Sequence, residues 1–417
     1  MDFLAFSEVF FKRFCFFGIN PWYRKLGKQT EGKKNVEQGA ISPIIVTIML
    51  LVYWCGIIIS FFMNHKANDK ISAISNIIQL LLNGIALTTV LINVLLRFQL
   101  FDDIVMGFHV IDENLKGVGK SLKYSNSVIS SRNIVIAFGS YLALSICFDC
   151  YVVIIKYEMA PFWYWVVSTL PSVIYSLSML QSMFIIAWIS TRCNKLNALL
   201  RFDSQANYLR ALPTVQMVTG SMKGRIQKSL DLIKKVYTIM SDICQLSHNV
   251  DNFLGPSFLA TITAIFAVTS IQVYYIYVTS VTMNVLPESS GFTIWSLLAS
   301  LNMVIMNIFL IIAITTICDR VNTETIQILQ NFSEFQINKE VPAELSIWLH
   351  PMISHMKFTA FGFFSIDYTM LCGFVTASVT YLVIFIQFYS IEAEHGTTSI
   401  IRNTEKGQAQ AFRSIMD

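Results

Sequence analysis

Charge is scarce in this chain. Of its 417 residues, 13% are Asp, Glu, Lys or Arg and 54% are hydrophobic, whereas a soluble domain carries about a quarter charged residues. The mean hydropathy is +0.57. So little charge excludes an ordinary soluble domain, and a net charge of +4 offers nucleic acid no basic surface. Cysteine is thin as well. The eight stand at 15, 55, 147, 150, 193, 244, 318 and 372, split between expected membrane spans and expected cytoplasmic segments, and imply no disulfide framework. Cys147 and Cys150 share a helical face but have no further ligands nearby for zinc, so they read as packed thiols. No Ser/His/Asp or paired-carboxylate constellation is visible, and no enzyme is expected. Gly119-Lys120-Ser121 is no phosphate loop, because Asn114 stands where its first glycine belongs and no strand precedes it. His350 and His355 have a spacing that suits no helical metal pair, and neither metal nor cofactor is expected. Without an internal repeat, an inverted-repeat transporter is not supported. Residues 1–41 do not read as a secretory signal, since Lys12 and Arg13 follow the apolar start and no small-residue cleavage site appears. Their aromatic and basic mixture reads as a helix in the headgroup region.

What is present is long apolar runs. Seven reach about 20 residues or more: Pro43–Met63, Ile74–Leu96, Ile134–Ile155, Phe162–Ile189, Phe258–Val281, Phe292–Ile317 and Tyr368–Tyr389. Pro171 inside the fourth is expected to kink it. Lys and Arg in the alternate segments beginning with the N-terminus number 24 against 6 in the others, which places the N-terminus in the cytoplasm and the C-terminus outside. Between the fourth and fifth runs, Leu232, Val236, Ile239, Ile243, Leu246 and Val250 recur every three or four residues. That predicts an amphipathic helix from near Arg225 straight into the fifth span. Residues 319–366 read as another helical tract, ending at Asp367. Asn331 begins a glycosylation sequon, but the topology puts it inside, so it is expected bare.

The last span carries a polar stripe. Gly373, Thr376, Thr380, Val383 and Gln387 recur at helical spacing on one face. Lipid cannot satisfy such a stripe, so it faces protein or water. Periodicity alone leaves two readings open, a pore wall built from several copies or a helix–helix contact within one subunit.

The same stretch carries a resemblance. Thr380-Tyr381, five apolar residues and Gln387-Phe388 resemble the TYhhhhhQF signature of insect gustatory receptors. Phe358-Thr359-Ala360 and Gly362 through Asp367 are also similar to that family, as is Asp242-Ile243-Cys244 ahead of the fifth span. The close match covers residues 356–388. The resemblance implies an all-α membrane protein with seven transmembrane helices, N-terminus inside, C-terminus outside, and a cytoplasmic helical anchor bundle where subunits meet. It implies a tetrameric ligand-gated cation channel whose span 7 lines the pore, with Thr376, Thr380, Val383, Gln387 and Phe388 at the pore or gate. Asp367 and Gly373 mark a bend below it.

The expected segments are 1–41, cytoplasmic; 42–190, spans 1–4; 191–253, cytoplasmic anchor; 254–318, spans 5–6; 319–367, cytoplasmic anchor; 368–390, pore-lining span 7; and 391–417, an extracellular tail. Polar and aromatic residues in the outer halves of the spans are candidate ligand contacts: Asp149, Trp165, Ser168, Gln272, Tyr275, Trp295 and Asn302, with Gln79 a further member. An ionisable residue inside a span is a functional candidate by default, whereas the tryptophans also fit an interfacial belt. The expected ligand is a small-molecule tastant, a bitter compound or other metabolite rather than a sugar. The other expected partners are membrane lipid, further copies of the chain in a homotetramer or other gustatory receptor subunits, and permeant cations. The expected location is the plasma membrane of sensory neurons. A seven-span receptor coupled to a G protein is the alternative; it predicts the C-terminus inside and an Asp-Arg-Tyr-like motif after span 3, and neither is present. A non-conducting co-receptor subunit is a third reading.

Overall fold

The computed structural model describes residues 41–64, 70–118, 124–156, 162–210, 222–285, 290–337, 356–388 and 390. The expected N-terminal interfacial helix, His350, His355 and the tail from 391 lie outside them. The described residues form eight helices: α1 (Ile41–Asn64), α2 (Lys70–Leu96), α3 (Phe98–Gly117), α4 (Tyr124–Lys156), α5 (Phe162–Arg210), α6 (Met222–Val285), α7 (Ser290–Ile337) and α8 (Tyr368–Phe388). Five stretches among them are long and apolar enough to cross a bilayer: Ile74–Leu96, Thr169–Arg201, Lys234–Val281, Leu297–Asn331 and Tyr368–Phe388. Two shorter apolar stretches, Val46–Ile59 and Ile136–Val152, lie in α1 and α4. Together these seven overlie the seven apolar runs of the sequence.

α6 is the spine. It is one helix of 64 residues, about 95 Å at 1.5 Å per residue, and α2, α3, α5 and α7 all pack on it. Val236, Ile239, Ile243, Leu246 and Val250 are buried along its first half, where the amphipathic period had placed them. α3 was hidden in what read as a loop between spans. Its buried face, Phe101, Ile104, Val105, Phe108, Ile111 and Leu115, follows the same helical period. Such a face gains the ordinary hydrophobic stabilisation of about 1.5–3 kcal/mol per fully buried large side chain only where water is the alternative. Between membrane spans that drive is absent, and close packing with interhelical hydrogen bonds takes over.

Polar clasps join the helices to one another. Arg192 Nε lies 3.0 Å from Asp112 Oδ1, Nη2 donates to Oδ2 at 3.0 Å, and the guanidinium sits 4.4 Å above the Phe108 ring. Ser190 donates to Glu324 at 2.7 Å, and Asn114 to Asp242 at 3.0 Å. Asn93 Nδ2 reaches the Phe253 carbonyl at 2.7 Å. Asn331, the sequon residue, donates to Asn197.

Residues 356–367 are not helical, in contrast to the expected tract. They form a tight turn closed by a bridge between Thr359 and Ser365, with Phe361 at φ 55° and Gly362 at φ 78°. Two successive positive φ values end any helix. Asp251 holds the turn, accepting from the Thr359 backbone N–H at 2.6 Å and from its hydroxyl at 2.9 Å. The turn seats on Gly255, where a Cβ would come within 3.1 Å of the Phe361 backbone.

Candidate functional site: the last helix and the outer bundle

α8 starts at a built cap. Asp367 Oδ1 accepts from the backbone N–H groups of Thr369 and Met370 at 3.0 and 3.1 Å, which is N-cap geometry. Ser365 donates to Oδ2 at 2.6 Å. That hydrogen bond, ahead of the backbone donors, holds the carboxyl below its usual range. The expected bend at Asp367 is therefore a helix start, and α8 runs unbroken through Gly373.

Three aromatic contacts hold α8 to the spine. Phe266 meets Phe374 and Tyr381 with ring centroids 5.4 and 5.7 Å apart, and Tyr274 meets Phe385 at 5.4 Å. Such pairs contribute about 0.5–1.5 kcal/mol each beyond area burial. At the start of α8 a groove of about 480 Å3 opens between Phe266, Phe364, Gly373 and Phe374.

The polar stripe points the other way. Gly373, Thr376, Thr380, Val383 and Gln387 are all exposed, roughly 140° around the helix from the Phe374–Tyr381–Phe385 face at 3.6 residues per turn. Thr376 and Thr380 donate back to the carbonyls of Cys372 and Thr376 at 2.9 and 3.0 Å. Phe388 is exposed too, but about 100° off the stripe. No residue of α8 is fully buried within the chain. Gly373 also borders the groove, while Thr376, Thr380 and Gln387 make no hydrogen bond to another element among the described residues.

The candidate ligand residues fall in two groups. On α4 and α7, Asn302 Nδ2 donates to Ser145 at 2.6 Å and Tyr141 donates to Asn302 at 3.0 Å. Trp295 stacks against Phe148 and Tyr151 at 6.1 and 5.9 Å. Asp149 is half-buried on the same face of α4 and makes no hydrogen bond or ion pair among the described residues. On α2 and α6, Tyr275 donates to Asn76 at 2.8 Å, and Gln272 lies 3.5 Å from Gln79. Trp165 and Ser168 lie on α5, their side chains outside the described set. Sequence reasoning missed Asn76, Tyr141 and Ser145. Their helical spacing from Gln79 and Asp149 was the available signal.

The arrangement is that of a multi-pass α-helical membrane protein with a polar cluster in the bundle and an uncovered final helix. The chain matches the 7tm Chemosensory receptor family over residues 10–392, and it belongs to that family of receptors, which are not enzymes. Its fold is similar to that of the insect olfactory receptor OR5 from Machilis hrabei in complex with eugenol, at 11% identity and TM-score 0.50, covering 93% of this chain and 100% of that one. The same receptor in a second structure gives 11% identity, TM-score 0.48 and the same coverage. No curated protein matches the chain.

Proposed function

We propose that the protein is a gustatory receptor: a ligand-gated, non-selective cation channel of the plasma membrane, opened by a small-molecule tastant. Four copies each contribute α8 to one central pore. The observation that carries the reading is the outward stripe. Thr376 and Thr380 return their hydroxyl protons to α8 itself, but the exposed Gln387 amide on the same stripe needs a polar partner that lipid does not supply, and a water-filled axis shared by several copies supplies it. The twofold choice left by periodicity thereby leans to the pore.

With the N-terminus inside, α8 runs outward and Gln387 lies near the outer mouth. Four Gln387 amides in a ring donate and accept between neighbours, with Val383 a turn below as an apolar constriction. Hydrogen bonds of this kind within membrane proteins contribute about 1 kcal/mol each. Together they bias closure by a few kcal/mol, about two decades in open probability. A tastant bound in the outer bundle shifts α6, and the aromatic contacts carry α8 with it.

The test is Gln387→Ala in whole-cell recordings. Raised basal current, weakened ligand dependence or changed ion selectivity is expected, with Leu382→Ala, about 140° around the helix, changing gating less. A surface-expressed Gln387→Ala that matches wild type in all three sinks the gate.

A further inference from the structure

We propose that the groove at the start of α8 holds a membrane lipid with a primary ammonium headgroup, a phosphatidylethanolamine, with its chain along α6 and α8 and its ammonium at Asp367. The proposal rests on α8 being a membrane span, and on neither the pore nor the tastant site.

The groove, about 480 Å3 between α6 and α8, falls in the size range of small-ligand sites. Ile262 and Phe266 of α6 and Met370, Phe374 and Ala377 of α8 give it apolar walls. Gly373 borders it, and a Cβ there would meet nothing within 4 Å, so the chain itself does not fill the space. From Asp367 to Ala377 the groove follows α8 for about 15 Å at 1.5 Å per residue. That is half the hydrocarbon thickness of a bilayer, the depth of one leaflet. Its two ends differ. The lining stops at Ala377, one turn short of the Tyr381 ring that meets Phe266. At the other end stands Asp367, the one formally charged residue among the described lining residues. The span Tyr368–Phe388 has 21 residues and covers about 30 Å, so Asp367 falls where hydrocarbon gives way to headgroups. Phe361 and Phe363 of the adjoining turn, 54% and 74% exposed, suit the same boundary. The hydrogen bonds of the cap keep the carboxyl ionised, yet no Lys or Arg pairs with it among the described residues. An ionised carboxylate at the mouth of an apolar groove complements an ammonium carried on an alkyl chain. A primary ammonium donates hydrogen bonds to that carboxylate. A choline headgroup has no N–H to donate, and the net negative charge of phosphatidylglycerol is repelled. The bound chain lies against Phe266 and Phe374, rings that join α8 to α6.

The test counts lipid retained by purified full-length protein after exchange into equimolar mixed micelles of phosphatidylethanolamine, phosphatidylcholine and phosphatidylglycerol, read by mass spectrometry. Phosphatidylethanolamine is expected to be retained over phosphatidylcholine by about threefold, the scale of one exposed ion pair, with phosphatidylglycerol retained least. Asp367→Asn keeps a good capping residue at the start of α8. It is expected to erase the headgroup preference while total retained lipid holds. Ala377→Trp fills the groove and is expected to lose the retained phosphatidylethanolamine. If Ala377→Trp does not fold, Thr263→Trp on the facing wall is read for the same loss. Equal retention of the three lipids by wild type, a preference for phosphatidylglycerol, a preference that survives Asp367→Asn, or retention that survives filling of the groove overturns the proposal. Loss of oligomer mass on filling, with lipid retention unchanged, assigns the groove to a second copy of the chain and overturns it as well. The readout involves no current, so its failure leaves the channel reading standing.

Discussion

Arg192 is 1% exposed, with its guanidinium held by Asp112, the Trp188 carbonyl at 2.9 Å and the Phe108 ring. Removing one partner strands the other charge in a packed interior, at a cost of about 3–5 kcal/mol. Arg192→Met is expected to lose most surface expression, and Arg192→Met with Asp112→Leu to recover much of it, read by surface labelling. Asp149 differs, because among the described residues it makes no hydrogen bond or ion pair. Asp149→Ala is expected to change tastant potency while surface expression holds; collapse of expression instead marks Asp149 as structural. The Asp367 cap holds at neutral pH. Its depressed carboxyl pKa gives stability that is present above the usual carboxylate range and is lost only as pH falls through the lowered value. Of these residues, the sequence marked Asp149 and Asp367 through an ionisable group in or beside a span. It could not mark the Arg192–Asp112 pair, since the two are 80 positions apart and only tertiary packing unites them.

At the scale of elements, the long amphipathic period made α6 readable from Arg225 onward, and polar spacing made the α8 stripe readable. The turn at 356–367 was not readable as a turn. Phe361 has no intrinsic preference for positive φ, and it adopts one because the chain is clamped between Asp251 and Gly255. α3 was missed because apolar span length dominated the reading of its neighbourhood. The Phe266 ladder is where α6 and α8 meet. Phe266→Ala removes two ring contacts and is expected to uncouple them: tastant binding stays near wild type while the maximal current falls severalfold. Equal losses of binding and current refute the coupling. Gly255→Ala is expected to displace the turn by a few tenths of an ångström and to shift gating with little effect on expression, read from current–voltage recordings against surface label.

For the whole molecule, the charge asymmetry supports the proposal that the loop 191–253 lies inside and the tail 391–417 outside. Protease added to intact cells is expected to trim the tail and spare the loop; the opposite pattern overturns the orientation. The fold class was legible because bilayer length and helical period are both written locally. The division of the outer bundle into two polar groups was not, because it depends on which helices become neighbours.

The single helix from Met222 to Val285 has one more consequence. Its first half carries the Asp251 clasp, and its second half carries Gln272 and Tyr275. Two sites on one continuous helix, with Pro256 between them, are linked thermodynamically where both shift it, and linkage is reciprocal. Whatever factor a tastant imposes on the opening of the Asp251–Thr359 clasp, opening the clasp imposes on tastant affinity. Thr359→Val, which removes one of the two hydrogen bonds to Asp251, is expected to alter the apparent sensitivity of the receptor, so that its threshold answers to the clasp at the 356–367 turn as well as to the residues that would touch the ligand.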